Sequence, residues 1–388
     1  MTKVCIIGGK LQGVEALYLA GKAGMETILI DHNESPLGKN FCGRFICKDV
    51  LQYDTNIIEI LEEADFVLPA LENHEVLATL KHLADEHDIH LVYDPHAYGI
   101  SSSKKISDEK MALAGLPCPR YYPEGDYPYI VKPSAMSGSA GVAKIHNERE
   151  MKAFLEAHSG EEWIAQEFLE GPSYSLEVIG VPGHYRTYHV TELFMDPAYD
   201  CKRVLSRPDF PEALKHSLEE ELRALAQMVA LHGIMDVEVI EQNGVLKILE
   251  IDARIPSQTP IAVYHATGWN MMTEMAAAFG KYSVEPCTLW EKERYVSLEQ
   301  IRCEGNIVSV LGEHIISEGD MLHHCFDFCG ADEALTDYAP GKEKWVATLI
   351  CVAPSKAALE EKRKGIPGEI AGLLGKEIEF HDDFPDAF

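Results

Sequence analysis

The sequence predicts an α/β chain in which a Rossmann-like N-terminal domain is followed by α+β domains, and three stretches carry that expectation. "KVCIIGG" (3–9), a helical pattern over Val14–Ala23 and "TILID" (27–31) open a βαβ unit with a parallel sheet. "YPYIVKPS" (127–134) and "VAKI" (142–145) read as a strand and its return across a small-residue loop. "MDVEVIEQNGVLKILEID" (235–252) reads as a long hairpin about an Asn-Gly turn. With 388 residues, 46% of them hydrophobic, the chain can bury two or three domains rather than one.

The N-terminal pattern continues through "ADFVLPAL" (64–71) and "IHLVYD" (89–94), strand-like runs that carry the first domain to about residue 95. Gly8, Gly9 and Gly13 follow its first strand and Asp31 ends its second, which invites a dinucleotide reading. The spacing fails, because Lys10 stands where the second glycine of G-x-G-x-x-G would let a pyrophosphate approach. Lys10 and Gln12 still project from this loop toward any ligand shared with another domain. In "SSSKKISDEKMALAGLPCP" (101–119) the serines offer N-caps, Gly115 a stop and Pro117 a terminator, which defines a helix of about ten residues. Asn147 caps another helix. "WIAQEFLEGPSYSLEVIG" (163–180) gives two strands joined by a Gly-Pro turn, Glu167 on one and Glu177 on the other. An amphipathic helix is expected over roughly Glu212–Leu231. Beyond residue 285, mixed strands and a helix near Ala357–Leu374 complete the chain.

Sixty-three acidic residues against 34 basic ones give a formal charge of −29, which repels nucleic-acid phosphates and anionic membranes, and no basic patch offsets it. No run of about 18 apolar residues and no signal-peptide pattern occurs, so a cytoplasmic protein acting on small molecules is expected. Ten cysteines without regular spacing read as reduced thiols. "HHCFDFC" (323–329) crowds potential metal ligands but lacks a second Cys/His pair to close a tetrahedral site, so ordinary packing is expected there.

Two registers compete in the hairpin. A two-residue Asn-Gly loop sets Glu238 opposite Leu249 and Val237 opposite Glu250, mixing apolar and charged residues on both faces. One further loop residue pairs Val237 with Ile251, Val239 with Leu249, Glu238 with Glu250 and Asp236 with Asp252, which makes one face wholly apolar. Burial favours the second register, since a one-residue slip moves every side chain to the other face. It leaves four carboxylates on the remaining face, where like charges repel, rise in pKa or recruit a cation. Mg²⁺, a hard ion held by carboxylates and substrate phosphates, suits the cluster, and Arg254 suits phosphate oxygens. A solvated outer face of an edge hairpin is the alternative.

A nucleotide accompanying the metal needs ammonium groups and a loop to surround its phosphates. Lys104 opens the short helix, and Lys132 ends a strand just before "PSAMSGSAG" (133–141), whose backbone N–H groups can wrap phosphate oxygens. Each lysine alone reads as a surface lysine; their combination with the carboxylates points to a nucleotide.

In order and spacing these residues resemble the ATP-grasp superfamily. Lys104 lies eleven residues before the Gly-x-Pro of "AGLP", "QEFLEG" (166–171) is similar to the family's adenine hinge, and Glu238 and Glu250 stand twelve apart. Asp252 stands where the family more often has asparagine. The resemblance implies a pre-ATP-grasp Rossmann-like domain over 1–97, a central subdomain over 98–180 and a catalytic and C-terminal α+β subdomain over 181–388. It implies ATP and Mg²⁺ as well. Glu167, Phe168 and Leu169 would meet adenine or ribose, Lys104 and Lys132 the phosphates, Glu238, Glu250 and Asp252 the metal, and Arg254 the transferring phosphate. Such enzymes turn a carboxylate into an acyl phosphate that an amine attacks.

At the acceptor side, Ser175, Glu177, Asp236, Ser257 and Thr259, with Glu72 from the first domain, favour a substrate bearing ammonium groups. Through "GGKLQGVEALYLAGKAGMETILID" (8–31) and "MDVEVIEQNGVLKILEIDARIPSQTP" (235–260), the chain further resembles the pyrrolysine-pathway ligases that join (3R)-3-methyl-D-ornithine to the ε-amine of L-lysine. By that resemblance Ser175, Glu177 and Asp236 hold the ornithine ammonium groups, Leu11, Gln12, Glu72 and Thr259 hold lysine, and the molecule is a homodimer. Asp236 or Glu177 takes the proton of the attacking amine. Lys10, Asp31 and Asp49 are either a nucleotide-contacting rim or plain loop residues.

Overall fold

The computed structural model describes residues 1–134, 141–279 and 286–382; residues 135–140 of the small-residue loop expected to wrap phosphates lie outside the described residues. The strands Lys3–Ile7, Glu26–Asp31, Arg44–Cys47 and Phe66–Pro69 form a parallel sheet in the order 44–47, 26–31, 3–7, 66–69. "IHLVYD" makes only an isolated bridge, Leu91 to Val67, because Asp94 already caps the Pro95–Ser101 helix. The glycines after the first strand serve the turn itself. Gly8 has φ +97°, and a Cβ on Gly13 would stand 2.0 Å from the Gly8 carbonyl oxygen, so strand and helix meet only through a bare backbone.

The Leu11–Lys22 helix is buried continuously from Gly13 to Ala20. A helix apolar all round lies inside a protein. Here Leu17 and Leu19 share one core with Ile261, Met272, Leu298 and Ile350, so the first domain packs directly on the C-terminal half.

The helix expected near Lys104 runs Lys104–Leu113; the Ser103 hydroxyl accepts from the Ile106 N–H and Gly115 follows at φ +69°. The strands Ala143–Ile145, Tyr129–Pro133 and Trp163–Glu167 form a small antiparallel sheet in that order, flanked by the Glu148–Ala157 helix that Asn147 caps. The Gly-Pro stretch after Glu167 is where the chain leaves this sheet, for the Ser173–Val181 strand belongs to another one.

That larger sheet runs in the order 245–252, 233–242, 173–181, 191–195, 201–206, 295–304, 344–353, 331–336, 323–328. The Glu212–Met228 helix covers the apolar face of its hairpin end, and the Lys356–Leu374 helix packs near the other end. "HHCFDFC" falls on the last strand, where His324 binds Glu333 at 2.6 Å. Among the described residues, no helix is long and apolar enough to cross a membrane.

Candidate active site

The hairpin Gly233–Gln242 and Val245–Asp252 uses both registers that its sequence offers. Near the turn, Gln242 pairs with Val245 and Val239 with Ile248, as a two-residue loop dictates. Beyond a β-bulge, Glu238 pairs with Glu250, Val237 with Ile251 and Asp236 with Asp252. Leu249 is the residue skipped, so the expected Val239–Leu249 pair gives way to Val239–Ile248. The bulge satisfies the Asn-Gly turn and the apolar face together: Val237, Val239, Ile248 and Ile251 are all buried. It also turns the Leu249 carbonyl toward Lys132, whose Nζ donates to it at 3.4 Å.

The opposite face therefore carries Asp236, Glu238, Glu250 and Asp252 side by side. Lys104 Nζ lies 2.5 Å from Glu250 Oε1, and the Lys104 and Lys105 backbone N–H groups donate to Ser134, just after Lys132. A cation at a helix N-terminus opposes the macrodipole, and the Glu250 carboxylate offsets that. Burial raises Glu238 to about 7, helped by Glu250 and Asp252 and opposed by Lys132 and Lys104. Burial likewise raises Asp252 to about 6 against the pull of Arg254. Asp236 is pushed well up by burial and by Asp252. Burial lowers Lys132, with Lys104 adding to the effect and Glu250 opposing it. Lys104 and Arg254 pair with Glu250 and Asp252, and Glu238 and Asp236 have no ion pair of their own among the described residues.

A cavity of about 150 Å³ opens on it, lined by Ser175, Asp236, Glu238, Glu250, Asp252, Arg254, Ser257 and Thr259 among others. Ser175 Oγ and Asp236 Oδ1 are buried there without hydrogen-bond partners. Glu177 pairs across the sheet with Asp236 and is fully buried, but it does not line the cavity. Burial raises Glu177 to about 7, with the Thr259 hydroxyl pulling the other way.

The other expected residues gather at a second opening. Lys10, Leu11, Gln12, Asp31, Asp49 and Glu72 line a cleft of about 610 Å³ at the C-terminal ends of the parallel strands, where ligands of open α/β sheets bind. Asp31 already accepts from the Gly9 and Asn33 N–H groups at 2.7 and 2.8 Å, and Asp49 accepts from Leu51 N–H. The Gln12 amide donates to Glu72 at 2.9 Å, while Gln12 Oε1 is unpartnered. Glu72 Oε1 lies 2.8 Å from Arg254 Nε, which joins the two openings.

At the hinge, Glu167 is bound by Arg120 at 2.8 Å and by Lys247 at 2.7 Å. Burial pushes its carboxyl up, and Lys247 and Arg120 outweigh this to hold it near 2. Lys144 Nζ stands 3.3 Å from the Phe168 ring centre, and Leu169 is buried.

Three acids here had no signal in the sequence. Asp108 lies on the capped helix, buried near Lys132 and bound by the Gln166 amide at 3.1 Å; burial raises it to about 6. Glu15 of the first domain accepts from the Ile261 N–H at 2.7 Å, which caps the Thr259–Thr267 helix across the domain boundary. Glu313, at the start of the short 3-10 helix Glu313–Glu318 among the C-terminal strands, lines the same cavity as Asp236.

Comparison with known proteins identifies the family and the fold. A model of the ATP-grasp domain matches residues 101–258. The 3-methyl-D-ornithine–L-lysine ligase of Methanosarcina acetivorans is 38% identical over 321 residues, 82% of this chain and 85% of that one. The ligase of the same name from Methanosarcina mazei is 37% identical over 318 residues, 82% of each chain. In fold, the N5-carboxyaminoimidazole synthetase of Staphylococcus aureus complexed with ADP superimposes with a TM-score of 0.70 at 16% identity, covering 94% of this chain and 96% of that one. The L-amino acid ligase of Bacillus licheniformis does so at 0.65 and 13%, covering 95% and 98%. The chain, which carries an ATP-grasp domain over residues 101–258, therefore belongs to the 3-methyl-D-ornithine–L-lysine ligase family.

Proposed function

We propose that the protein is an ATP-dependent carbon–nitrogen ligase that joins (3R)-3-methyl-D-ornithine to the ε-amine of L-lysine, a step of pyrrolysine biosynthesis, releasing ADP and phosphate. The observation that carries this reading is a cavity in which a carboxylate face of metal-binding type meets unpartnered Ser175 and Asp236. Hard oxygens deficient in countercharge suit Mg²⁺, so Glu238, Glu250 and Asp252 would hold it. When bound, Mg²⁺ neutralises triphosphate charge.

Lys104 and Lys132 bind the ATP phosphates, the segment Glu167, Phe168 and Leu169 borders the base or ribose, and Lys10, Asp31 and Asp49 form a polar rim on the first domain. Arg254 orients the reacting groups: its guanidinium, held by Glu72 and Asp252, lines the cavity. A substrate carboxylate oxygen attacks the γ-phosphorus and the bond to the bridging oxygen of ADP breaks. The ε-amine, held among Leu11, Gln12, Glu72 and Thr259, attacks the acyl carbon and phosphate leaves. Its proton passes to a carboxylate; Asp236 lines the cavity and Glu177 does not, which favours Asp236. Ser175, Asp236 and Ser257 hold the ammonium groups of the ornithine, and Glu177, fully buried behind them, stays out of reach of the substrate. Ten free thiols support a cytoplasmic setting.

The test is ADP release with D-ornithine or its 3-methyl form, with and without L-lysine. Turnover that needs both substrates is expected. Release that ignores lysine, or that follows pairs of L-amino acids instead, would remove the named reaction.

A further inference from the structure

We propose that Glu313 is a specificity-determining residue that pairs with one ammonium group of a diamino-acid substrate, Asp236 serving the other. This rests on the reading that the phosphorylated substrate is a diamino acid.

Glu313 opens the short turn Glu313–Glu318, and the protein fixes that turn from two sides. Asp196 Oδ2 accepts from the Gly312 N–H at 3.0 Å, and Asp200 Oδ2 accepts from the His314 N–H at 2.9 Å. A Cβ on Gly312 would stand 2.2 Å from the Asp200 carboxylate, so no larger residue fits there without moving the turn. Asp196, Asp200 and His314 cluster as if for a metal, but both Asp196 oxygens already accept backbone N–H groups; the cluster holds the loop.

So held, Glu313 reaches the cavity that Asp236, Glu238 and Thr259 also line. Ser257 Oγ donates to its Oε1 at 3.0 Å, while its buried Oε2 makes no aligned hydrogen bond and has only the neutral Gln258 amide beside it. The nearby cation is Arg254, which Glu72 and Asp252 already engage. A buried carboxylate with no cation of its own is costly, and a charged donor is the ligand chemistry that relieves it. Ser175 Oγ, 1% exposed as a residue, and Asp236 Oδ1, both without partners, line the same space and mark it as a polar ligand site. A diamino acid carries two ammonium groups several bonds apart, and the cavity presents acids from two separate elements, the hairpin and this turn. Glu313 lies outside the stretch 101–258 that matches the ATP-grasp domain, so the C-terminal strands would supply substrate choice to a shared phosphate-transfer core.

Calorimetric binding of D-ornithine, D-norvaline and 5-aminopentanoate to the intact wild-type chain and to Glu313→Gln, with Mg-ADP present, tests this. Each of the last two lacks one ammonium group, and the amide carbonyl that the substitution introduces still accepts from Ser257, so the variant keeps its loop contact. The wild type should favour D-ornithine over both probes. In the variant its advantage over one of them should fall about tenfold or more, with its advantage over the other kept. Both advantages retained, or both lost equally, would overturn the role of Glu313 alone. A wild-type protein that binds no D-ornithine would overturn the diamino-acid reading together with the inference.

Discussion

Arg254 ties the first domain to the carboxylate face: its Nε lies 2.8 Å from Glu72 and its Nη2 lies 2.8 Å from Asp252. Burial works against its charge, and Asp252, Glu72 and Asp236 outweigh that. Lysine cannot reproduce this fork. Arg254→Lys is therefore expected to lower kcat on the order of 10²-fold, whereas Glu72→Gln should raise KM for L-lysine about tenfold with a smaller change in kcat. Steady-state kinetics with each substrate varied separates the two. An Arg254→Lys protein with normal kcat would detach the guanidinium from phosphate transfer.

The raised acids set a pH dependence. Glu238 moves from 4.5 to about 7, so between those values the folded protein keeps a proton that the unfolded chain has lost. The stability this contributes is full below about pH 4.5 and is lost as pH rises through 7. Asp252, raised to about 6, acts in the same direction. Glu238→Gln cannot ionise, so without metal it should be more stable than the wild type at pH 8, by on the order of 1–3 kcal/mol, and equal to it near pH 4.5. Denaturant melts at the two pH values check this; a variant less stable at pH 8 would mean that Glu238 has a cationic partner.

Glu167 behaves oppositely. Held near 2 by Lys247 and Arg120 despite burial, it contributes stability above about pH 4.5 that is lost as pH falls through 2. Because Arg120 is half exposed, the effect is modest. Glu167→Gln should cost about 1–2 kcal/mol at pH 7, and the gap should narrow in thermal melts taken below pH 4. A gap independent of pH would assign Glu167 to packing instead.

Glu250 joins Lys104 to the hairpin at 2.5 Å. With Mg²⁺ and a non-hydrolysable ATP analogue at about 100 times Kd, the wild type should gain about 2.7 kcal/mol. Glu250→Gln at the same concentrations should gain less than half of that. The same melting shift in both proteins would take Glu250 out of the metal set.

Local chemistry explains what the sequence made legible. Ser103, Gly115 and Asn147 bound their helices through contacts within a few residues, and alternation of apolar positions along 235–252 put the four acids on one face. The bulge at Leu249 was hidden because each of the two registers satisfied one local rule, the turn or the burial pattern, and only a kink between them satisfies both. "IHLVYD" had a strand's composition but lost its place to the cap at Asp94. Glu15, Asp108 and Glu313 stayed unseen for a different reason: their partners Ile261, Gln166 and Ser257 are distant in the chain, so no nearby spacing announces them.

The central claim is that the substrate carboxylate is activated by phosphorylation, and an oxygen-tracing measurement reaches it directly. With D-ornithine labelled by ¹⁸O in its carboxylate, L-lysine and Mg-ATP, the inorganic phosphate released during amide formation should carry one ¹⁸O per molecule. Amide formed alongside unlabelled phosphate would contradict an acyl-phosphate route through this cavity.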